Sequence, residues 1–127
     1  MKLFSTLSLL IVFCSAFGQS SDCAKFRIGK YKMEDPKTGI NFITRNDSIQ
    51  IEYVPKLEVK VKLNVIWTDD CTMELSLKEI LENPKKLSIS DFVLISEIIE
   101  SKDSSYIMRS TVGNSEIVLT REFFKVE

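Results

Sequence analysis

The clearest pattern in this chain is an alternation of apolar and polar side chains over residues 56–67. Every second position from Leu57 to Trp67 is apolar, and nearly all the positions between them are lysine, glutamate or asparagine. Successive side chains of a β-strand point to opposite faces, so this pattern predicts one long strand with a single buried face.

Shorter β-rich runs separated by turn-forming residues occupy most of the remaining chain. They predict strands over residues 27–33, 40–45, 48–53, 92–100, 105–111 and 115–124. The separators at residues 35–39, 46–47, 101–104 and 113–114 are rich in Asp, Asn, Ser, Pro and Gly, which favour tight turns. We therefore expect consecutive strands to be joined by short hairpins.

Residues 72–83 are compatible with two structures. Met73, Leu75 and Leu77 alternate as a strand would, whereas Met73, Leu77, Ile80 and Leu81 lie on one face of a helix. The pattern predicts a strand to about residue 78, followed by a helical turn that ends at residues 83–84, Asn-Pro.

Together these elements predict an all-β fold of about eight strands with one short helical turn. An antiparallel meander of this size closes most readily into a small barrel, because closure removes exposed strand edges. A barrel of eight strands has a bore just wide enough for its own side chains or one small ligand.

The beginning of the chain has the pattern of a secretory signal peptide. Lys2 is followed by an apolar run at residues 9–13 and by small residues around positions 16–18. We predict a signal peptide over residues 1–18 and a single β-barrel domain over residues 19–127, exported to the periplasm or secreted.

Two other interpretations of this opening are less favourable. The apolar stretch at residues 3–17 is shorter than the roughly 20 residues that a spanning helix needs, so no membrane span is expected in the mature chain. Lipidation of Cys14 would require a small residue immediately before it, and Phe13 occupies that position.

Cys23 and Cys71 remain after removal of the signal peptide, and an even number of cysteines in an oxidising compartment favours a disulfide between them. They lack the C-x-x-C spacing of a redox-active pair. The net charge of −1 gives the chain no general attraction for nucleic acid.

The chain contains no histidine. This excludes Ser-His-Asp and Cys-His catalysis and removes the commonest transition-metal ligand. The carboxylate pairs Asp69–Asp70 and Glu97–Glu100 have no spacing that demands acid–base chemistry or calcium binding. We therefore expect no catalytic residues, no metal site, no cofactor and no enzymatic activity.

The segment Gly29-Lys30-Tyr31 resembles the G-x-W motif that closes one end of lipocalin-like calycin barrels, with Tyr in place of Trp. The resemblance implies a structural role for this motif and places Arg121, on the last strand, over the Tyr31 ring by a cation–π contact.

The chain is also similar to small exported bacterial proteins of unestablished activity. These share C-x-x-F-x-x-G-x-[FY] near the mature start and W-x-x-x-C in mid-chain. The matching residues here are Cys23, Phe26, Gly29, Tyr31, Trp67 and Cys71.

Two functional hypotheses follow from the predicted barrel. In the first, the barrel is an exported binding protein that holds a small apolar or amphipathic ligand; its expected binding residues are Tyr53, Val59, Val61, Leu63, Trp67 and Leu75. In the second, the barrel is packed and serves as a structural or protein-interaction module of the cell envelope, with an exposed apolar patch formed by Phe92, Leu94 and Ile98.

The lysines of the long strand can be interpreted either as a binding surface or as a structural feature. Lys56, Lys60 and Lys62 share one face and could attract an acidic partner, but Glu58 interrupts them. Lysine on an outward face more often serves as a solvated wall that discourages strand pairing, and we favour that interpretation.

Overall fold

Eight antiparallel strands follow one another around a closed barrel in the computed structural model, which describes residues 22–126. The strands are β1 (Gly29–Asp35), β2 (Gly39–Arg45), β3 (Ile49–Val54), β4 (Val59–Trp67), β5 (Thr72–Glu82), β6 (Val93–Ser101), β7 (Ser105–Val112) and β8 (Val118–Lys125). This confirms the predicted all-β barrel. The predicted signal peptide and Cys14 lie outside the described residues.

Pairing of the first and last strands closes the barrel. Tyr31 of β1 lies opposite Lys125 of β8, and Met33 lies opposite Phe123. All other neighbours in the barrel are consecutive in sequence, and every connection except the one between β5 and β6 is a hairpin or a short loop.

Local side-chain hydrogen bonds stabilise the predicted turns. In the β1–β2 turn, Asp35 Oδ1 accepts hydrogen bonds from the backbone N–H groups of Lys37 and Thr38, at 2.7 and 3.0 Å. Asn46 Oδ1 does the same in the β2–β3 turn, where it accepts from Ser48 and Ile49 at 3.0 and 2.8 Å. These short polar side chains mimic backbone acceptors, which explains their place in turns.

The helical turn predicted near residue 80 is wrong, because β5 continues as a strand through Thr72–Glu82. Its pairing with β4 contains two register shifts. Leu77 lies opposite Leu63 and Ile80 opposite Val61, and each shift inserts one extra residue into β5. An inserted residue turns a spacing of two into a spacing of three, so these bulges imitate a helical period.

The helical element that the structure does contain is a 3₁₀ turn, Cys23–Phe26, which covers the end of the barrel where β1 begins. Cys23 is disulfide-bonded to Cys71 in the β4–β5 connection, with 5.3 Å between their Cα atoms. This confirms the predicted pair. A cross-link over 48 residues stabilises the fold by about 4 kcal/mol in the chain-entropy model and is compatible with an exported protein.

We call the end under the 3₁₀ turn the closed end and the other the open end. The open end carries the long β5–β6 connection, residues 83–92, whose Ile89 and Phe92 pack partly against the core. Between the two ends, the buried apolar and aromatic side chains are Tyr31, Ile43, Val59, Val61, Leu63, Val65, Met73, Leu75, Ile98, Tyr106, Met108 and Phe123. Among the described residues, no helix is long and apolar enough to cross a membrane.

Candidate functional site

The Gly-x-Tyr motif at the start of β1 positions an aromatic ring under the 3₁₀ turn. Gly29 has a positive φ of 148°, and a Cβ atom at this position would lie 2.8 Å from the Tyr31 hydroxyl oxygen. The Tyr31 hydroxyl donates a hydrogen bond to the Ile28 carbonyl at 3.1 Å. Glycine is therefore required here both by the backbone conformation and by the ring folded back over it.

The cation that faces this ring comes from β2. The guanidinium carbon of Arg45 lies 5.3 Å from the centre of the Tyr31 ring. The placement of Arg121 over the ring is wrong: its Nη2 lies 3.2 Å from Asp35 Oδ2. The register explains this difference, because the β8 residue opposite Tyr31 is Lys125, four positions closer to the closed end than Arg121.

Arg45 is almost completely buried, with 2% of its surface exposed, and each of its nitrogens donates a hydrogen bond. Nε donates to Gln50 Oε1, Nη1 to the Phe26 carbonyl and Nη2 to the Tyr106 hydroxyl, all at 2.7 Å. The planar guanidinium therefore ties β2 to β3, to the 3₁₀ turn and to β7. Since its nitrogens are already engaged, we assign Arg45 a structural role.

An aromatic cluster surrounds this cation. The Tyr106 ring lies 4.9 Å from Phe26, 5.2 Å from Tyr31 and 5.1 Å from Phe123, measured between ring centres. Burial raises the pKa of Tyr31 to about 12 and also raises that of Tyr106. Both phenols therefore stay neutral at physiological pH, and the closed end is a structural unit of rings around one positive charge.

The polar chain continues along β3 to a carboxyl group inside the barrel. Gln50 Nε2 donates a hydrogen bond to Glu52 Oε1 at 2.7 Å. Burial raises the pKa of Glu52, and the hydrogen bond from Gln50 and the charge of Arg45 oppose that shift only in part. Tyr106, Arg45, Gln50 and Glu52 thus form one continuous internal network.

The sequence patterns did not predict this network. Gln50 and Glu52 are polar residues that point into the barrel from β3. The alternation pattern assigns apolar residues to the inward face, so it does not identify inward polar residues. Strand pairing could have revealed them, because residues opposite one another on neighbouring strands point to the same face of the sheet. Gln50 and Glu52 lie opposite Leu63 and Val61, which belong to the inward face of β4.

The aliphatic side chains predicted to line a ligand cavity do point into the barrel, but they are packed there. Leu63 has 0% of its surface exposed and Leu75 has 3%, and Val59 and Val61 are also buried. A side chain without accessible surface does not border any cavity large enough to admit a water molecule. The barrel is therefore filled by its own side chains beside Leu63 and Leu75.

Of the two aromatic residues predicted for the same cavity, Trp67 packs against the core at the end of the inward face of β4, and Tyr53 lies outside the bore. Trp67 is at the closed end, where the Arg27 guanidinium carbon is 4.7 Å from its ring centre, and its buried indole N–H has no hydrogen-bond partner among the described residues. Tyr53 is on the outer face, with Lys60 Nζ 5.3 Å from its ring centre, so its predicted place in the bore is wrong. The pleat of β3 directs Glu52 inward and therefore Tyr53 outward.

The apolar patch predicted on β6 is also wrong. Ile98 is buried, and Leu94 and Phe92 pack partly against the core. The exposed apolar residues of this strand lie at the alternate positions, on its outer face, and include Val93 and Ile95, each 40% exposed.

An aromatic and cationic surface lies on the outer side of β8, β1, β2 and β3. We call it the β1 face; its members are Phe124, Val126, Lys30, Lys32, Glu34, Ile40, Phe42 and Tyr53. Phe124, Lys32, Phe42 and Tyr53 form one row, because each lies opposite the next across neighbouring strands. Phe42 is 43% exposed, Phe124 44% and Ile40 47%, so these three side chains project into solvent.

The long-strand lysines differ from those of the β1 face in their charge partners. Lys60 pairs with Glu82 at 3.5 Å and Lys62 with Glu79 at 3.8 Å, so these two charges are neutralised on the barrel wall. Within residues 22–126, Lys32 has no ion-pair partner.

The surface also contains a cleft of about 490 Å³ where β5 and β6 separate, lined in part by Leu77, Phe92 and Val112. A smaller groove of about 290 Å³ lies at the edge of the β1 face, between Ile40 and Phe124. Comparison with protein-family models, with curated proteins and with solved structures found no match for this chain.

The buried network predicts a specific loss of stability on removal of one hydroxyl. Tyr106→Phe leaves an Arg45 N–H without its acceptor in the interior, and we expect the free energy of unfolding to fall by about 2 kcal/mol. Tyr53→Phe removes the same hydroxyl from the outer face and should change it by less than about 0.5 kcal/mol. Urea denaturation measures both variants, and equal losses would contradict a special role for the closed-end network.

The burial of Glu52 predicts a pH dependence with a definite sign. Because the pKa of Glu52 is raised in the folded protein, the folded state holds this proton more tightly than the unfolded state, and stability falls as pH rises through that range. Glu52→Gln should therefore become progressively more stable relative to wild type as the pH increases from acid to neutral. Unfolding curves over this range, with the outer-face variant Glu34→Gln as a charge control, test the sign; a constant difference would show that burial does not govern this carboxyl.

Proposed function

We propose that this protein is an exported, lipocalin-like β-barrel without enzymatic activity, and that it works as an interaction module of the cell envelope through its β1 face. The packing around Leu63 and Leu75 supports this proposal over a ligand carried in the bore, since a carrier needs a cavity at that level. The function is therefore assigned to the outside of the barrel.

Among the exposed apolar residues, those of the β1 face have the composition expected of a contact surface. Phe42 and Phe124 are aromatic, the half-buried Tyr53 lies opposite Phe42, and aromatic side chains dominate the binding energy of most interfaces. Around β6, by contrast, the exposed apolar residues are aliphatic, and Ile95 lies opposite Glu74 and Thr111. The β1 face is therefore the better candidate.

Binding to isolated envelope fragments of the host tests this proposal. Loss of a central aromatic side chain commonly weakens an interface by about 2 kcal/mol, so Phe42→Ser should reduce the affinity about 30-fold. Ile95→Ser removes a similarly exposed apolar side chain from the far side of the barrel and should bind as wild type does. Sedimentation with the fragments measures both affinities. Equal binding by the two variants, or no binding by wild type, would refute the assignment to this face.

A second candidate function is supported by the cleft between β5 and β6. Its volume of about 490 Å³ lies in the range of small-molecule sites, and Leu77 and Phe92 give it an apolar floor. A ligand held there would occupy the open end and leave the packed bore undisturbed.

Native mass spectrometry of protein purified from its host without detergent tests this candidate. A bound ligand would appear as an additional mass in wild type that is absent from Phe92→Ser and retained in Ile95→Ser. A bare protein mass in wild type, obtained under gentle conditions, would argue against the cleft as a ligand site.

A further inference from the structure

We infer that the partner of the β1 face is the surface of a bilayer containing anionic lipids. This inference rests on the proposed function and names the chemistry of its partner. The argument depends on how two lysines and the apolar side chains around them are arranged on the outer wall.

Lys30 and Lys32 occupy the centre of the face, on β1. They are separated by one residue on a strand, so they point to the same side and their Cα atoms lie about 7 Å apart. Apolar side chains lie on both neighbouring strands: Phe42 and Phe124 are opposite Lys32, and Val126 donates a backbone hydrogen bond to the Lys30 carbonyl at 2.8 Å. Lys32 thus lies between two aromatic side chains, and Lys30 lies between Val126 and Thr44.

The charge of this face is positive although the chain as a whole has a net charge of −1. Neither Lys30 nor Lys32 has an ion-pair partner within residues 22–126, while nearby Lys60 is paired with Glu82. Glu34, on the same strand, offsets one of the two charges. The excess positive charge favours an anionic partner.

A second copy of the chain is a poor occupant of this face. A symmetric contact centred on Lys32 would bring Lys32 of one copy towards Lys32 of the other, and like charges in a desolvated contact repel. A purely apolar protein surface is also unfavourable, because it would remove both lysine ammonium groups from water without compensation.

A bilayer surface satisfies both parts of the face at once. Lysine side chains lie along apolar surface and extend their charged ends to the level of the headgroups. Phe42, Phe124 and Ile40, each more than 40% exposed, can then enter the boundary between headgroups and acyl chains. The attraction of each lysine to anionic headgroups adds to that apolar contact.

Co-sedimentation of the purified protein with synthetic vesicles tests the inference. We expect binding to vesicles that contain phosphatidylglycerol, little binding to pure phosphatidylcholine, and a decrease at high salt, which screens charges at the surface. Lys30→Gln with Lys32→Gln should weaken binding about 25-fold, because each lysine near an anionic surface contributes about fivefold. Lys78→Gln, on β5 across the barrel from β1, removes one positive charge, is the control for Lys32→Gln alone and should have little effect.

The outcomes separate this inference from the proposed function. If the protein binds host envelope fragments through Phe42 but does not bind the anionic vesicles, the partner is an envelope protein or polymer and the lipid inference is wrong. If Lys78→Gln weakens vesicle binding as much as the two β1 changes, the attraction is general and not located on this face, which also overturns it. If the protein binds neither preparation, both the inference and the proposed function fail.

Discussion

The burial of one guanidinium group determines how the barrel is closed. Arg45 has almost no contact with water, so its charge and its donors must be satisfied by protein groups. The acceptors come from three separate parts of the chain: the Phe26 carbonyl, Gln50 and Tyr106. Displacing any one of these parts would leave a buried donor unpaired, which is more unfavourable than the bond itself is favourable. The closed end is therefore held in one arrangement.

This closure limits where the protein can bind a partner. The rings around Arg45 and the disulfide from Cys23 to Cys71 fix the 3₁₀ turn over one end. Above this layer, Leu63 and Leu75 fill the bore with side chains that have almost no accessible surface. A barrel filled in this way has a rigid wall, and a rigid wall can hold side chains on its outer surface in fixed positions. Residues on loops would not be positioned as accurately.

Alternation along the chain was sufficient to predict the barrel, since one buried face per strand and short turns leave few other arrangements. It failed on strands whose inward face carries polar residues and on strands whose two faces are both apolar. Glu52 is polar and inward, so its strand could not be phased from its own sequence. On β6 both faces are apolar, and the phase chosen for Ile98 was the wrong one. The bulges opposite Leu63 imitated a helical spacing. Each failure is a case in which tertiary packing overrides local pattern.

The inner and outer surfaces of β1 are linked by the strand itself. Tyr31 is held inward by its contact with the Arg45 guanidinium and by its fit against Gly29. Because side chains alternate along a strand, the same contact requires Lys30 and Lys32 to point outward, with Lys32 between Phe42 of β2 and Phe124 of β8. A slip of one residue would bury both lysines and expose the ring. The motif that closes the barrel therefore also fixes the charge pattern of the β1 face. It connects the buried closed end to the outer surface that is proposed to bind a partner.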